Sequence, residues 1–231
     1  MSQVTVTRVA STRIPTDNGE FQLVYYDNSV DDKANLAFCF GEFGKTGNSA
    51  KSENVLVRLH SECLTGDVFG SRRCDCGEQL ERSLQLITEE GRGVLVYLRQ
   101  EGRGIGLLEK IHAYNLQDTG VDTVDANLML GHQADERDYT VAVRILEDLG
   151  ISSVRLITNN PIKIRALEES GIKVNDRVAL ENFLNPENSR YLLTKAKRMN
   201  HILRLTPSIH TSTQATAHAT ESDPAKTQSA D

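Results

Sequence analysis

The sequence is organised around residues 58–79, RLHSECLTGDVFGSRRCDCGEQ, a cysteine-rich loop that follows a short apolar segment. Three of the four cysteines, Cys63, Cys74 and Cys76, lie in this loop. Clustered thiolates are typical ligands of a soft or borderline metal, and zinc is the leading candidate. Three protein ligands leave a fourth tetrahedral position for water, which is the arrangement of a catalytic zinc site. We therefore predict a zinc ion held by these three sulfurs.

Other interpretations of the cysteine loop stay open at this point. His60 is available as a fourth ligand, which would close a structural Cys₃His site. No second Cys-x-x-Cys pair, which often completes a structural site, is present in the sequence. A disulfide between Cys74 and Cys76 is disfavoured, because they are separated by one residue and bridge geometry restricts their approach. The remaining cysteine, Cys39, lies in the apolar segment LAFCF and is predicted to be a core residue.

Length and charge restrict the class of protein. At 231 residues the chain suits one large domain or two small ones with a substantial core. The formal charge of −6 argues against broad contact with nucleic acid or membrane surfaces. No apolar run approaches the ~18 residues that span a bilayer, and the N-terminus lacks the apolar core of a secretion signal. We therefore expect a cytoplasmic protein, since a reducing compartment favours metal over disulfide at clustered cysteines.

Hydrophobic periodicity predicts an α/β fold with a mixed β-sheet and flanking helices. Strands are predicted at Val4–Val9, Phe21–Tyr26, Leu36–Phe40, Val55–His60, Val94–Leu98, Val154–Thr158 and Ile172–Val174. Helical spacing follows Cys76, Gly106, Asp138 and Pro161, and a last amphipathic helix is predicted at Arg190–Arg204. The cysteine loop directly follows one of the strands, which places the metal site at a strand end, where α/β proteins often keep their chemistry.

Two further stretches carry candidate functional residues. The turn QEGRGIG, residues 100–106, lies between a predicted strand and a predicted helix, which suits phosphate binding because N–H groups at a helix start are unpaired. It matches neither a Walker loop nor a dinucleotide-binding fingerprint. Residues 119–138 are predicted to be polar and irregular, and their charged run Asp135–Asp138 is typical of a solvated helix start. Lys163 is positioned either to reach a phosphate or to be an ordinary surface lysine.

The composition changes at Thr206. The residues that follow are rich in Thr, Ser and Ala and contain no aromatic side chain. Such a segment buries too little surface to offset its ordering entropy. We predict an ordered domain over residues 1–205 and a disordered tail over residues 206–231.

Five motifs occur in order along the chain: HSECLTGDVFGSRRCDCG (60–77), RQEGRGIGLLEKI (99–111), DTVDAN (122–127), GHQADERDY (131–139) and LITNNPIK (156–163). Together they resemble GTP cyclohydrolase II, the first enzyme of riboflavin synthesis, and the resemblance covers roughly residues 4–204. It implies that residues 1–205 form one catalytic domain. Some family members carry an upstream dihydroxybutanone phosphate synthase domain. We expect a monofunctional form, because the chain begins close to the cyclohydrolase part.

The resemblance implies a defined reaction and set of partners. Family members convert GTP to 2,5-diamino-6-(5-phospho-ribosylamino)pyrimidin-4(3H)-one and release formate and diphosphate. One catalytic zinc ion per subunit, held by Cys63, Cys74 and Cys76, and a magnesium ion with the triphosphate are expected. The expected assembly is a homodimer, with neither nucleic acid nor membrane as a partner. A zinc nucleotide deaminase is a rival, but its His/Cys/Cys signature is absent from the sequence.

The resemblance also implies which residues contact GTP. They are Arg58, Leu59, His60, Ser61, Glu62, Gln79, Glu101, Gly102, Arg103, Thr123, Thr158 and Lys163. Within this set, the cations suit the triphosphate and Glu101 suits the guanine N–H groups. A buried carboxylate left unpaired would then reject adenine. His60 is expected to support the site rather than to bind the metal.

Three residues are implied to be catalytic: Tyr114, Asp135 and Arg137. Tyr114 would donate to, or orient, the hydrated carbon of the base, although it also shares a predicted apolar helical face with Leu107 and Ile111. Arg137 is proposed in the family as a nucleophile on the α-phosphorus, with Asp135 as proton acceptor. An alternative is that Arg137 clamps the phosphate while water attacks, because a guanidinium with a pKa above ~12 has no free lone pair. Both roles, and the order of the hydrolytic events, stay open.

Overall fold

The computed structural model of the protein describes residues 4–42, 52–199, 201–203 and 205–207. Its strands are β1 (Val6–Thr16), β2 (Gly19–Asn28), β3 (Asn35–Phe40), β4 (Val55–Ser61), β5 (Gly93–Leu98), β6 (Ser153–Ile157), β7 (Lys173–Val178), β8 (Asn182–Leu184) and β9 (Leu205–Pro207). Its helices are α1 (Leu64–Asp67), α2 (Cys76–Glu90), α3 (Leu107–Asp118), α4 (Thr123–Met129), α5 (Thr140–Asp148), α6 (Pro161–Glu169) and α7 (Ser189–Arg198), with a 3-10 turn at Glu101–Gly104.

Seven strands form one mixed sheet in the order β1-β2-β3-β5-β4-β6-β7. The first three pair antiparallel, and the β1–β2 hairpin reverses between Thr16 and Gly19. β3 pairs antiparallel with β5, while β4 pairs parallel with both β5 and β6, and β6 with β7. The strands β8 and β9 form a separate parallel pair. The predicted mixed sheet with flanking helices is therefore confirmed.

The core lies on both faces of the sheet because the central strands are apolar at successive positions. In β4, Leu56 belongs to a cluster with Ile87 of α2, whereas its neighbour Val57 belongs to a larger cluster with Ile145 of α5 and Leu167 of α6. Strands covered on both faces read as nearly continuous apolar runs, which explains the segments VLV and VLVYL. None of the helices in the described part of the chain combines the length and apolarity needed to cross a bilayer.

Two parts of the fold differ from the sequence prediction. The segment 119–138 was expected to be irregular but contains α4, which Asp122 caps by accepting hydrogen bonds from the N–H groups of Val124 and Asp125. An aspartate before a short apolar turn is a helix start signal, and the surrounding polar residues conceal it. The last helix was expected to reach Arg204 but ends at Arg198, and its basic last turn pairs with Asp125 of α4 at 2.8 Å.

The predicted tail falls mostly outside the described residues. Strand β9 includes Thr206 and Pro207, the first two residues of that segment, and pairs with β8. Residues 208–231 lie outside the part of the chain that the structure describes. The boundary at residue 205 and the disorder of the tail stay predictions.

Candidate active site

Three of the sequence motifs meet at the carboxyl edge of the parallel part of the sheet. The neighbouring strands β5, β4 and β6 end there and continue into the turn Glu101–Gly104, the cysteine loop and the segment 158–160. Loops that follow adjacent parallel strands meet at the same edge of a sheet. The strand order therefore brings together residues that are distant in the sequence.

The three cysteine sulfurs form one group. Cys63 immediately precedes α1, and Cys74 and Cys76 lie at the start of α2. The three Sγ atoms lie within 4.8 Å of one another, and those of Cys63 and Cys74 are 3.7 Å apart. A tetrahedral zinc with bonds of about 2.3 Å places its sulfurs about 3.8 Å apart, so the group fits zinc. No further His, Cys, Asp or Glu among the described residues joins the group, so a zinc ion held there would have three protein ligands from this part of the chain.

Two glycines allow the halves of the cysteine loop to approach. A Cβ atom at Gly66 would lie 2.9 Å from Cys74 Sγ and 3.2 Å from Cys63 Sγ. A Cβ atom at Gly77 would lie 2.5 Å from the backbone oxygen of Gly66. Neither position has space for a side chain. The loop therefore depends on these glycines as well as on the cysteines that the sequence pattern singles out.

Lys110 of α3 is a buried cation beside the sulfurs. Its Nζ donates hydrogen bonds to Cys63 Sγ at 3.1 Å, to Thr65 Oγ1 at 3.0 Å and to Glu101 Oε1 at 2.8 Å. The sequence prediction does not include Lys110, although it lies four residues before Tyr114 and therefore on the same helical face. This spacing is the signal that connects Lys110 to the site.

The thiol groups influence one another's ionisation. Hydrogen bonds from Cys74 and Cys76, together with the charge of Lys110, hold the pKa of Cys63 well below its ordinary value. Hydrogen bonding to Cys63 raises the pKa of Cys74 to about 12, and the same interaction raises that of Cys76. A thiol whose pKa is raised holds its proton, so binding of a metal to the group would release protons.

Asp67 anchors the cysteine loop to the sheet. Its carboxylate accepts hydrogen bonds from the Cys63 backbone N–H at 2.9 Å, from the Tyr97 hydroxyl at 2.8 Å and from His60 Nε2 at 3.1 Å. Burial lowers the pKa of His60, so its imidazole is neutral and donates through Nε2. The His60 ring also stacks on Tyr97, with centroids 5.4 Å apart. In this arrangement His60 supports the loop and lies outside the sulfur group.

Tyr114 lines the cavity that contains the three sulfurs. Its hydroxyl oxygen lies 3.5 Å from Thr65 Oγ1, and the Arg73 guanidinium lies 4.9 Å from its ring centroid. Burial raises the pKa of Tyr114, so its hydroxyl stays protonated. Ile111, which was expected to share an apolar face with it, is 45% exposed. Tyr114 therefore belongs to the cavity wall rather than to a packed apolar face.

Glu101 is buried and already engaged by protein donors. Besides Lys110, it accepts from the backbone N–H groups of Leu64 at 2.7 Å and Gly102 at 2.8 Å. A carboxylate offers about four lone-pair sites, so these contacts leave about one for a ligand. Glu101 therefore joins the cysteine loop, the glycine-rich turn and α3.

A second cavity adjoins the first and is lined by cations. Arg58 donates to the Ile157 carbonyl at 3.1 Å and to Gln79 Oε1 at 2.8 Å. Lys163 is 5% exposed and donates to the Leu59 carbonyl at 2.7 Å. Burial, followed by repulsion from Arg58, lowers the pKa of Lys163. Lys163 is therefore a buried residue of this cavity and not a surface lysine.

Arg137 lies at the junction of the two cavities and is held by Asp135. Its Nε donates to Asp135 Oδ1 at 2.8 Å and its Nη2 to Oδ2 at 2.5 Å, in a bidentate pair. Burial alone would lower the pKa of Arg137, but Tyr139 and the Asp135 carboxylate raise it above the ordinary value. The guanidinium therefore stays charged.

The glycine-rich turn packs on the loop that carries Arg137. The N–H group of Glu136 donates to the Arg103 carbonyl at 3.0 Å, and a Cβ atom at Gly104 would lie 3.0 Å from the Glu136 backbone. Arg103 itself adopts a left-handed conformation, with φ of 64°. This close backbone contact holds Arg103 and Arg137 on one wall.

The two cavities collect most of the predicted site residues. The first is lined by Ser61, Glu62, Cys63, Cys74, Cys76, Glu101, Gly102, Arg103, Tyr114, Thr123 and Arg137. The second is lined by Arg58, His60, Ser61, Cys76, Gln79, Arg103, Arg137, Thr158 and Lys163. Leu59 and Asp135 line neither cavity, because the Leu59 side chain is in the core and Asp135 lies behind Arg137. The prediction omitted Gln117, Asn127 and Tyr191, which also line the first cavity.

Comparisons with known proteins bear on the same region. A family model for GTP cyclohydrolase II matches residues 7–179. The riboflavin biosynthesis protein RibBA of Mycobacteroides abscessus is 53% identical over 199 residues, which cover 86% of this chain and 47% of that protein. The protein of the same name from Mycobacterium tuberculosis is also 53% identical, with 86% and 46% covered. The chain therefore spans about half the length of the curated relatives it matches.

A solved structure of RibBX, a two-domain 3,4-dihydroxy-2-butanone 4-phosphate synthase from A. baumannii, aligns with a TM-score of 0.44 and 23% identity over 76% of this chain and 41% of that chain. The family match extends from residue 7 in β1 to the end of β7 and includes all three candidate zinc ligands. The family resemblance indicated by the motifs is confirmed: this chain belongs to the GTP cyclohydrolase II family.

Proposed function

We propose that the chain hydrolyses GTP in a zinc-dependent reaction that yields 2,5-diamino-6-(5-phospho-ribosylamino)pyrimidin-4(3H)-one, formate and diphosphate, as the first step of riboflavin biosynthesis. The observation that carries this proposal is the junction of the two cavities. Cys76, Arg103 and Arg137 line both, so a base beside the sulfurs would have its phosphates among the cations. One nucleotide would then occupy both cavities.

The residues around the sulfurs are suited to ring hydrolysis. A bound zinc ion, one per subunit, would supply a water molecule with a pKa lowered to about 7. Lys110 would offset the negative charge of the sulfur ligands, and Tyr114 would donate a hydrogen bond to the oxygen that develops charge on the base. Both donors lie on one face of α3 and are held by contacts with Thr65.

Selection of guanine would depend on Glu101. Its remaining acceptor site would receive a guanine N–H, and adenine, which lacks a hydrogen at N1, would leave that site unpaired. Thr123 lines the same cavity beside Asn127 and offers further polar contacts to the base or the ribose. The site would therefore recognise guanine through a hydrogen bond to one carboxylate oxygen and through neighbouring neutral polar groups.

The triphosphate would bind in the second cavity. Arg58, Arg103 and Lys163 would contact phosphate oxygens, and a magnesium ion bound with the nucleotide would neutralise further charge. For Arg137 we favour the phosphate clamp over the nucleophile, because the bidentate pair with Asp135 keeps the guanidinium charged. Water would then attack the α-phosphorus and diphosphate would leave.

Membership of the family also suggests an assembly state, a cellular location and partners. We expect a homodimer in the cytoplasm, with GTP as the small-molecule partner and with neither nucleic acid nor membrane as a partner. Size-exclusion chromatography coupled to light scattering would measure the assembly directly. A monomer that turns over GTP would contradict the dimer without affecting the reaction.

The reaction is tested by incubating the zinc-loaded protein with GTP and magnesium. We expect formate and diphosphate to be released in equal amounts. Cys74→Ser should abolish both products, whereas Cys39→Ala, a matched change outside the sulfur group, should retain them. Ammonia in place of formate would indicate a deaminase, and stable zinc without any turnover would indicate a structural site.

A further inference from the structure

The C-terminal helix α7 forms a wall of both cavities. Tyr191 lines both of them, and Lys195 and Met199 line the second. These residues are four positions apart and therefore lie along one face of the helix. The helix is also anchored by an apolar side chain, since Leu192 is fully buried. The helix lies beyond residue 179, the last residue of the family match, so the family comparison assigns no role to it.

Lys195 is an unusually buried lysine. Its side chain is 12% exposed, and its Nζ lies 3.3 Å from Asp75 Oδ1 and 4.3 Å from the centroid of the Tyr191 ring. An ammonium group has three donors, so contacts with one carboxylate oxygen and one ring face leave donor capacity towards the cavity. Asp75 is also held by Gln79 Nε2 at 2.7 Å, which reduces its dependence on Lys195.

The second cavity has an excess of positive charge. Its lining includes five cations: Arg58, Arg103, Arg137, Lys163 and Lys195. No Asp or Glu of the described residues lines it, although Asp135 and Asp75 pair with two of the cations from behind. Arg58, Arg103 and Lys163 therefore have no carboxylate partner in these two pairs. Such an excess in a low-dielectric cavity favours a polyanion.

Lys195 is placed for the outer phosphates rather than for the base. Arg103 and Arg137 line both cavities, whereas Lys195 lines only the one lacking Cys63, Cys74 and Tyr114. Tyr191 contacts two of the cations, since its ring centroid lies 5.7 Å from the Arg103 guanidinium and 4.3 Å from Lys195 Nζ. We propose that Lys195 contacts the two phosphates that leave as diphosphate, with Tyr191 as the residue that positions it. This inference rests on the proposed GTP cyclohydrolase activity.

Binding measurements on the zinc-loaded protein separate this role from a structural one. The probes are GMP, inorganic diphosphate and a GTP analogue with a methylene group between the α- and β-phosphorus atoms. Lys195→Gln should weaken the binding of the analogue and of diphosphate by about 10- to 100-fold, which is the contribution of one hydrogen bond to a charged group. Binding of GMP, which lacks the outer phosphates, should stay within about twofold because no such bond is lost.

Matched variants complete the experiment. Lys197→Gln makes the same change at an exposed position of α7 and should leave all three affinities unchanged. Lys195→Arg should retain most of the analogue affinity, and Tyr191→Phe, which keeps the ring, should retain Lys195 function. Lys195→Gln leaves the buried Asp75 carboxylate without its ammonium partner and should lower the thermal unfolding temperature, so affinities are compared only at temperatures where the zinc-loaded variant is folded.

The outcomes are distinct. If Lys195→Gln binds the analogue as tightly as the wild-type protein, the proposed phosphate contact is wrong. It is also wrong if the affinities for GMP and for the analogue fall by the same factor. If Lys195→Gln does not fold, the double variant Lys195→Gln/Asp75→Asn, which removes both charges of the buried pair, takes its place. Weaker binding of the analogue with unchanged binding of GMP then supports the role, and wild-type binding of the analogue refutes it. If the wild-type protein releases no formate or diphosphate from GTP, the proposed function fails regardless of Lys195.

Discussion

The three N–H groups of Lys110 match three acceptors, a sulfur, a hydroxyl and a carboxylate, at 3.1, 3.0 and 2.8 Å. The pair with Glu101 is buried, with 9% and 8% of the side chains exposed. A lone lysine would not tolerate this environment, because burial of an unpaired charge is costly. The position therefore couples the charge of the sulfur group to the carboxylate that is proposed to read the base.

Lys110→Met should reduce zinc retention and destabilise the protein, because a sulfur loses its donor and Glu101 is left as a buried unpaired charge. Breaking such a pair costs about 3 kcal/mol. Dialysis against a weak chelator measures the zinc, and denaturant unfolding measures the stability.

The double variant Lys110→Met/Glu101→Gln is the control for this prediction. It removes both charges and should recover much of the stability without recovering zinc retention. Wild-type zinc retention in Lys110→Met would show that Lys110 does not support the metal site.

Tyr114→Phe should slow formate release by about 10²–10⁴-fold, because the raised pKa of Tyr114 keeps its hydroxyl a hydrogen-bond donor and the variant removes only that group. Nucleotide affinity should largely survive, since the ring remains in the cavity wall. Single-turnover formate assays and analogue binding measure the two effects separately. Loss of all nucleotide binding would instead show that Tyr114 has a structural role.

Arg137→Ala should block diphosphate release, because it removes the charge at the junction of the cavities. Arg137→Lys keeps the charge but not the planar fork that Asp135 holds at two points, so it should restore release only partly. Diphosphate release is the measurement. Release near the wild-type rate in Arg137→Ala would remove this residue from the mechanism.

At the scale of elements, the glycine-rich turn and the acidic loop before α5 form one unit. Gly104 has a φ of 98° and contacts the Glu136 backbone, which cannot move aside as a side chain can. Gly106 has a similar φ of 88°, but a Cβ atom there would meet no heavy atom within 4 Å. Both glycines therefore have a backbone conformation that favours glycine, but only at Gly104 would a side chain also meet a neighbouring backbone.

Gly104→Ala should weaken nucleotide binding and diphosphate release more than Gly106→Ala, because the collision with Glu136 displaces both Arg103 and Arg137. Zinc content should be unchanged in both variants, since the sulfurs lie on other segments. Analogue affinity and metal analysis make this comparison. Equal effects in the two variants would mean that backbone strain alone, and not the contact between turn and loop, governs the site.

At the scale of the whole molecule, the group of three cysteine sulfurs lies at one edge of the sheet and outside both core clusters. The larger core cluster includes Val57, Ile145 and Leu167, and the sulfurs belong to neither cluster. Removal of zinc with a chelator should therefore abolish GTP hydrolysis while the far-UV circular dichroism and a cooperative unfolding transition persist. Unfolding on chelation would show that the metal is structural.

Zinc affinity should fall as the pH is lowered. The raised pKa values of Cys74 and Cys76 keep them protonated in the metal-free state, so zinc displaces protons that a lower pH supplies. Zinc titrations in buffers of different pH should show weaker binding at the lower pH and proton release on binding. An affinity independent of pH would contradict the shared ionisation of the group.

The sequence by itself determined the local features: the apolar strands, the cluster of three cysteines, the glycine turn and the family motifs. These depend on neighbours in the chain, as periodicity and side-chain chemistry do. It did not reveal α4, whose capping aspartate is surrounded by other polar residues, or the contacts of Lys110, Asp67 and Lys195.

Those contacts were decided by the tertiary structure, because they depend on how the strands β5, β4 and β6 and the helices beside them are arranged. Lys163, for example, donates to the Leu59 carbonyl across 104 positions of sequence, and Lys195 meets Asp75 across 120. A hydrogen bond requires atoms about 3 Å apart, and only the folded sheet brings such distant positions together.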